Sequence, residues 1–87
     1  MAIYVVLAET SKPDLSEQIL RLYPDGNSYQ INDEQWLIAS DKLPKDLGDE
    51  IEISQGKFGR VAILLAAGQY WGWHVKDLWD WIAVRSR

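Results

Sequence analysis

The chain has 87 residues and is acidic, with 13 Asp and Glu against 9 Lys and Arg, a net charge of -4 and no cysteine. A chain of this length has room for one domain with a limited core, and the lack of cysteine removes disulfide frameworks, thiolate zinc sites and cysteine nucleophiles together. Net acidity argues against general nucleic-acid binding, which calls for a basic face to neutralise phosphates, although a local patch stays open.

Hydrophobic residues make up 47% and charged residues 25% of the sequence, the balance of a folded, soluble globular protein. The first apolar run, IYVVLA at 3–8, has no basic segment before it and is too short for a signal peptide or a membrane span. A cytoplasmic protein is expected. The run is rich in β-branched residues, which predicts a strand covered on both faces or lying centrally in a sheet, ending at Glu9. In SKPDLSEQILRLYP, Leu15, Ile19, Leu22 and Tyr23 form one stripe of a short amphipathic helix. Ser11 or Asp14 is placed to cap it, Glu17 follows Asp14 by three, and Pro24 stops it.

Residues 28–40 read as a hairpin: Tyr29 and Ile31 alternate with polar residues, Asn32, Asp33 and Glu34 turn the chain, and an apolar stretch resumes at Trp36. Leu43, Leu47 and Ile51 stand four apart, which predicts a second helix with Pro44 in its first turn, weakened by Gly48. EIEIS also alternates with period two, so 51–54 reads either as the helix end or as an extra strand. After the loop QGKFG, the run RVAILLAA at 60–67 is again suited to a central strand. A closing helix then places Val75, Leu78, Trp79 and Ile82 on one stripe, with Lys76, Asp77 and Asp80 opposite. This order predicts an α+β, ferredoxin-like βαββαβ sandwich over residues 1–87, with a four-stranded antiparallel sheet, the two long apolar strands central, and an added C-terminal helix.

Several residues bear on function. Trp81 lies about 200° round the last helix from Trp79, so the two cannot face one core, and periodicity assigns Trp79 to it. Trp71 and Trp73 flank Gly72 ahead of that helix. Aromatics outside the monomer core suit the centre of an interface, so Trp71, Trp73 and Trp81 are the expected dimer or partner surface, with base stacking a lesser reading. His74, with Asp77 three residues on, could act as a general base, but a lone histidine at a helix start is more simply a solvent-facing residue. Asp46, Asp49, Glu50 and Glu52 lack the spacing of a calcium loop and read as a solvated face. The serines show no nucleophile elbow, and the glycines form no phosphate-binding pattern.

An acidic residue closing the first strand, QWLIAS in the third, Gly68, Trp71, Gly72 and Trp73 after ILLAA, and the triplet Asp80, Trp81 and Ile82 together resemble the SinR-like proteins, relatives of the small CRISPR-associated endoribonuclease subunit. The resemblance spans about residues 3–83 and implies a ferredoxin-like fold that associates as a homodimer through its sheets. It also implies a possible metal-dependent phosphodiesterase ancestry, in which Glu9 occupies the position of an aspartate that holds magnesium across a dimer axis. Glutamate moves that carboxylate by about a methylene, which matters for an ion demanding near-ideal octahedral geometry. Lys12 and Arg60 are the nearest basic residues for a phosphodiester. Two readings stand: a non-catalytic homodimer or protein-association module without a cofactor, and a Mg2+-dependent nuclease with Glu9 as ligand. Net acidity, glutamate at the metal position and a single histidine favour the first.

Overall fold

The computed structural model describes residues 2–24, 26–66 and 76–85. Four strands, β1 (Ala2–Ala8), β2 (Ser28–Asn32), β3 (Gln35–Ser40) and β4 (Val61–Ala66), alternate with the helices α1 (Pro13–Leu22), α2 (Pro44–Ile51) and α3 (Lys76–Arg85). The sheet runs β2-β3-β1-β4 with every neighbouring pair antiparallel. β1 and β2 are therefore parallel with β3 inserted between them, the split βαβ of a ferredoxin-like α+β fold.

Period-two alternation gives the sheet two buried faces. Val6, Trp36 and Ile38 pack with Leu15 and Ile19 of α1, Ile51 of α2, and Ile53 and Phe58 beyond it. On the opposite face Ile3 and Leu37 meet Leu78 of α3, with Val5, Tyr29, Ile31, Trp81 and Ile82 around them. The third helix thus covers the face that α1 and α2 leave open. Trp36 is fully buried, and its indole N–H donates to Ser16 Oγ at 3.0 Å, so the largest core side chain carries no unpaired donor.

Local chemistry departs from the sequence reading, or decides between its alternatives, at three places. Neither Ser11 nor Asp14 caps α1: Lys12 holds the N-cap position without a side-chain bond, Pro13 opens the helix, and the Ser11 hydroxyl donates to Asp33 instead. The Lys12 N–H is drawn to the Asp33 carbonyl at 2.7 Å, which ties the helix start to the hairpin turn. At the end of α2, Glu52 adopts a left-handed conformation (φ 73°), and the Ile53 and Ser54 N–H groups both return to the Gly48 carbonyl. Residues 51–54 are therefore a helix end and not an extra strand, and Ile53 is buried because this reversal folds it back. A Cβ on Gly48 would stand 2.6 Å from Ser54 Oγ, so the close return of the chain explains a glycine within the helix.

The third difference concerns β4. It lies beside β1, as expected, but it is an edge strand, and β3 holds the second central place. β3 is buried from Trp36 to Ser40, whereas Leu64 and Leu65 of β4 are 51% and 58% exposed. Val61–Ala66 is apolar throughout without a covered surface on each side to account for it.

Candidate functional site

The free side of β4 is the least satisfied surface among the described residues. The Glu9 N–H donates to the Arg60 carbonyl at 3.2 Å, which makes these positions a hydrogen-bonded pair. By antiparallel alternation, Ala62, Leu64 and Ala66 turn their N–H and C=O groups toward β1, while Val61, Ile63 and Leu65 turn theirs away from it. The other side of β1 gives the same assignment: the Ala8 N–H donates to the Glu34 carbonyl at 2.8 Å, so the even-numbered residues of β1 face β3 and the odd-numbered ones face β4. Among the described residues no strand pairs with the outer side of β4.

Side chains complete this surface. On the α3 face, Ala62, Leu64 and Ala66 are exposed, and Leu7 beside them is partly so. α3 reaches Ile3 and Leu37 but leaves the β4 flank of this face bare. No charged residue or proline interrupts VAILLA, although such residues are the usual protection of an exposed strand edge.

At one end of this edge an open depression is lined by Leu7, Ala8, Glu9, Arg60, Val61 and Ala62. Glu9 closes β1 where the sequence placed it, and its carboxylate stands 3.7 Å from the Arg60 guanidinium, with both side chains largely exposed. Lys12 Nζ lies 3.5 Å from where a Cβ on Gly59 would sit, so Lys12, Arg60 and Glu9 share one end of the sheet. The Arg60 guanidinium beside the Glu9 carboxylate makes a setting less suited to a divalent cation than an acidic cluster would be. Among the described residues no group of three or more His, Asp or Glu side chains is placed to hold a metal.

The acidic run on α2 is divided among lysines. Asp49 pairs with Lys45 at 3.2 Å and Glu52 with Lys57 at 2.8 Å, while Glu50 receives both Lys42 and the Tyr23 phenol. The Ser54 hydroxyl and then Lys45 hold the Asp49 carboxyl below its usual range, and Lys42 and then Tyr23 do the same for Glu50. Burial, followed by the Glu50 carboxylate, pushes the Tyr23 phenol well above its ordinary value. The Tyr23–Glu50 bond ties the end of α1 to α2, and the lysine pairs lie within α2 or beside it.

Trp81 serves the monomer. Its indole N–H donates to the Gly26 carbonyl at 2.9 Å, its ring lies 6.1 Å from that of Tyr29, and the Arg85 guanidinium stacks over it at 4.5 Å. Gly26 has φ +81°, and a Cβ there would meet Arg85 Nη2 at 2.7 Å, so glycine permits this close packing. The sheet-facing stripe of α3 is accordingly Leu78, Trp81 and Ile82, with Trp81 in the place that periodicity gave to Trp79. Trp79 is half-buried. Trp71, Trp73 and His74 lie outside the described residues.

The edge position of β4 escaped the sequence reading because an uninterrupted apolar strand looks the same whether it is central or exposed. The missing charges and prolines in VAILLA were consistent with both placements. No helix among the described residues is long and apolar enough to cross a membrane. No protein-family model matches the chain, and no curated protein matches it significantly.

Proposed function

We propose that this protein acts by association through its sheet, as a homodimer or with a protein partner, and not by catalysis. The observation that carries this reading is the uncharged open edge of β4, whose outward backbone groups and bare leucines form a surface that can be satisfied by another strand. Kinship with the SinR-like proteins belongs to this reading and is supported by the ferredoxin-like strand arrangement. So does a cytoplasmic setting, supported by the lack of cysteine.

The second reading is a divalent-metal-dependent nuclease with Glu9 as ligand. It draws on the meeting of Glu9, Lys12 and Arg60 at one end of the sheet, where a phosphodiester could find basic partners. Against it stand the Arg60 guanidinium beside the Glu9 carboxylate and a net charge of -4. Incubation with single-stranded and duplex RNA and DNA in magnesium or manganese separates the two readings, with Glu9→Gln as control. The association reading predicts no cleavage above the protein-free control. Metal-dependent cleavage that disappears in Glu9→Gln would overturn it.

A further inference from the structure

We infer that the cleft between α1 and the turn that follows α2 is a binding site for a free di- or tripeptide, whose ammonium terminus meets Glu17 and Asp14 and whose carboxylate meets Arg21. The cleft has a volume of about 400 Å³ and is lined by Asp14, Glu17, Gln18 and Arg21 of α1 together with Lys57 and Phe58. That volume lies within the roughly 300–1,000 Å³ of small-molecule sites. The cleft shares no residue with β4 and stands whether or not the chain associates.

The charges carry the inference. Glu17 and Arg21 stand in the favourable order for an ion pair one helical turn apart, with the acid nearer the N-terminus, and yet they form none. Elsewhere the chain closes such pairs even in the less favourable order, Lys45 with Asp49 at 3.2 Å and Lys76 with Asp80 at 2.7 Å. In α1 the Arg21 guanidinium donates instead to Oε1 of Gln18, whose buried carboxamide is anchored by its Nε2, a donor to the Ile51 carbonyl at 3.5 Å. Asp14, like Glu17, forms no ion pair with a described residue. Lys57 lies over the Phe58 ring and pairs with Glu52 at 2.8 Å; Lys57 first, and Arg21 more weakly, hold that carboxyl below its usual range. One end of the cleft thus presents two unpaired carboxylates, and the other presents two cations against one.

Spacing selects the length of the ligand. Glu17 and Arg21 are about 6 Å apart along the helix axis, and Asp14 and Arg21 about 10.5 Å. An α-amino acid carries both charges on one carbon and is too short to reach both ends. An extended chain spans about 3.3–3.6 Å per residue, so a dipeptide reaches about 7 Å and a tripeptide about 10 Å. The guanidinium fork suits a carboxylate held through two N–H groups. The second N–H of the Gln18 carboxamide has no described acceptor and is available to a peptide carbonyl.

Titration of the isotope-labelled chain with dialanine and with trialanine tests this, followed by NMR at the Gln18 carboxamide, the Arg21 Nε–H and the Lys57 and Phe58 amides. Saturable shifts are expected at these groups, with dissociation constants of millimolar order, as ligands this small allow. N-acetyl-dialanine and dialanine methyl ester, each lacking one charge, should bind about threefold to fivefold more weakly, the loss of one largely exposed ion pair. Arg21→Gln should keep its helical circular dichroism and lose only the preference for a free carboxylate, and Glu17→Gln should weaken only the preference for a free ammonium. No saturable shift at these groups up to about 50 mM, an order of magnitude beyond the expected range, overturns the site. Blocked peptides that bind the native chain as tightly as free ones overturn the charge assignment, and alanine binding as tightly as dialanine overturns the length.

Discussion

Tyr23 and Glu50 show how single side chains set the working range of this fold. The folded state raises the Tyr23 phenol, by burial first and by Glu50 second. A group whose folded value lies above its unfolded one stabilises the protein fully below the unfolded value, here 10.0, and loses that contribution as pH rises through the folded value. Glu50 has the opposite sign. Lys42 and Tyr23 lower it from 4.5, so its contribution is complete above that value and is lost as pH falls through the lower folded one. We expect melting temperature to fall above about pH 10 in the native chain and to fall less steeply in Tyr23→Phe, measured side by side. Equal alkaline slopes in the two proteins would contradict the Tyr23 assignment. At this scale the sequence was informative about Glu9, which does end β1, but silent on its Arg60 partner, because residues 9 and 60 meet only through sheet pairing. Spacing assigned Trp79 to the core, although a stripe through Leu78 and Ile82 exists for either tryptophan; the Gly26 carbonyl and the Tyr29 ring select Trp81.

Among the elements, β1, α1, the β2–β3 hairpin and α2 follow from local patterns that tertiary packing reinforces. Two further features, one left open by the sequence and one misread, are of another kind. The alternation in EIEIS is real, and both isoleucines are buried, but a left-handed Glu52 produces that burial from a helix end. The apolar run of β4 is also real, yet one of its edges has no neighbour among the described residues. Hydrophobicity records that a surface is to be covered and does not say whether the same molecule covers it. α3 depends on few anchors, of which Leu78 is the buried one, seated against Ile3 and Leu37. Leu78→Ala should cost about 2–3 kcal/mol in urea unfolding, the lower range for a large-to-small change in a core. It should also redshift tryptophan emission as the Trp81 contact loosens. A cost under about 0.5 kcal/mol, the size of an ordinary surface substitution, would show that α3 does not depend on this contact.

For the whole molecule, the sheet is asymmetric. Among the described residues, one face is covered by two helices and the other by one, and of its two edges the polar one is short and irregular while the apolar one has no neighbouring strand. Association through the apolar edge would convert this asymmetry into a continuous sheet across two chains. Residue-resolved amide hydrogen exchange across β4 as a function of protein concentration tests this most directly. In dilute protein the amides of Ala62, Leu64 and Ala66, held by β1, should be protected, and those of Val61, Ile63 and Leu65 should exchange freely. As concentration rises, protection should appear at Val61, Ile63 and Leu65 alone. Equal protection of both sets at every dilution, or odd-numbered amides still exchanging freely where the protein is dimeric, would contradict the account.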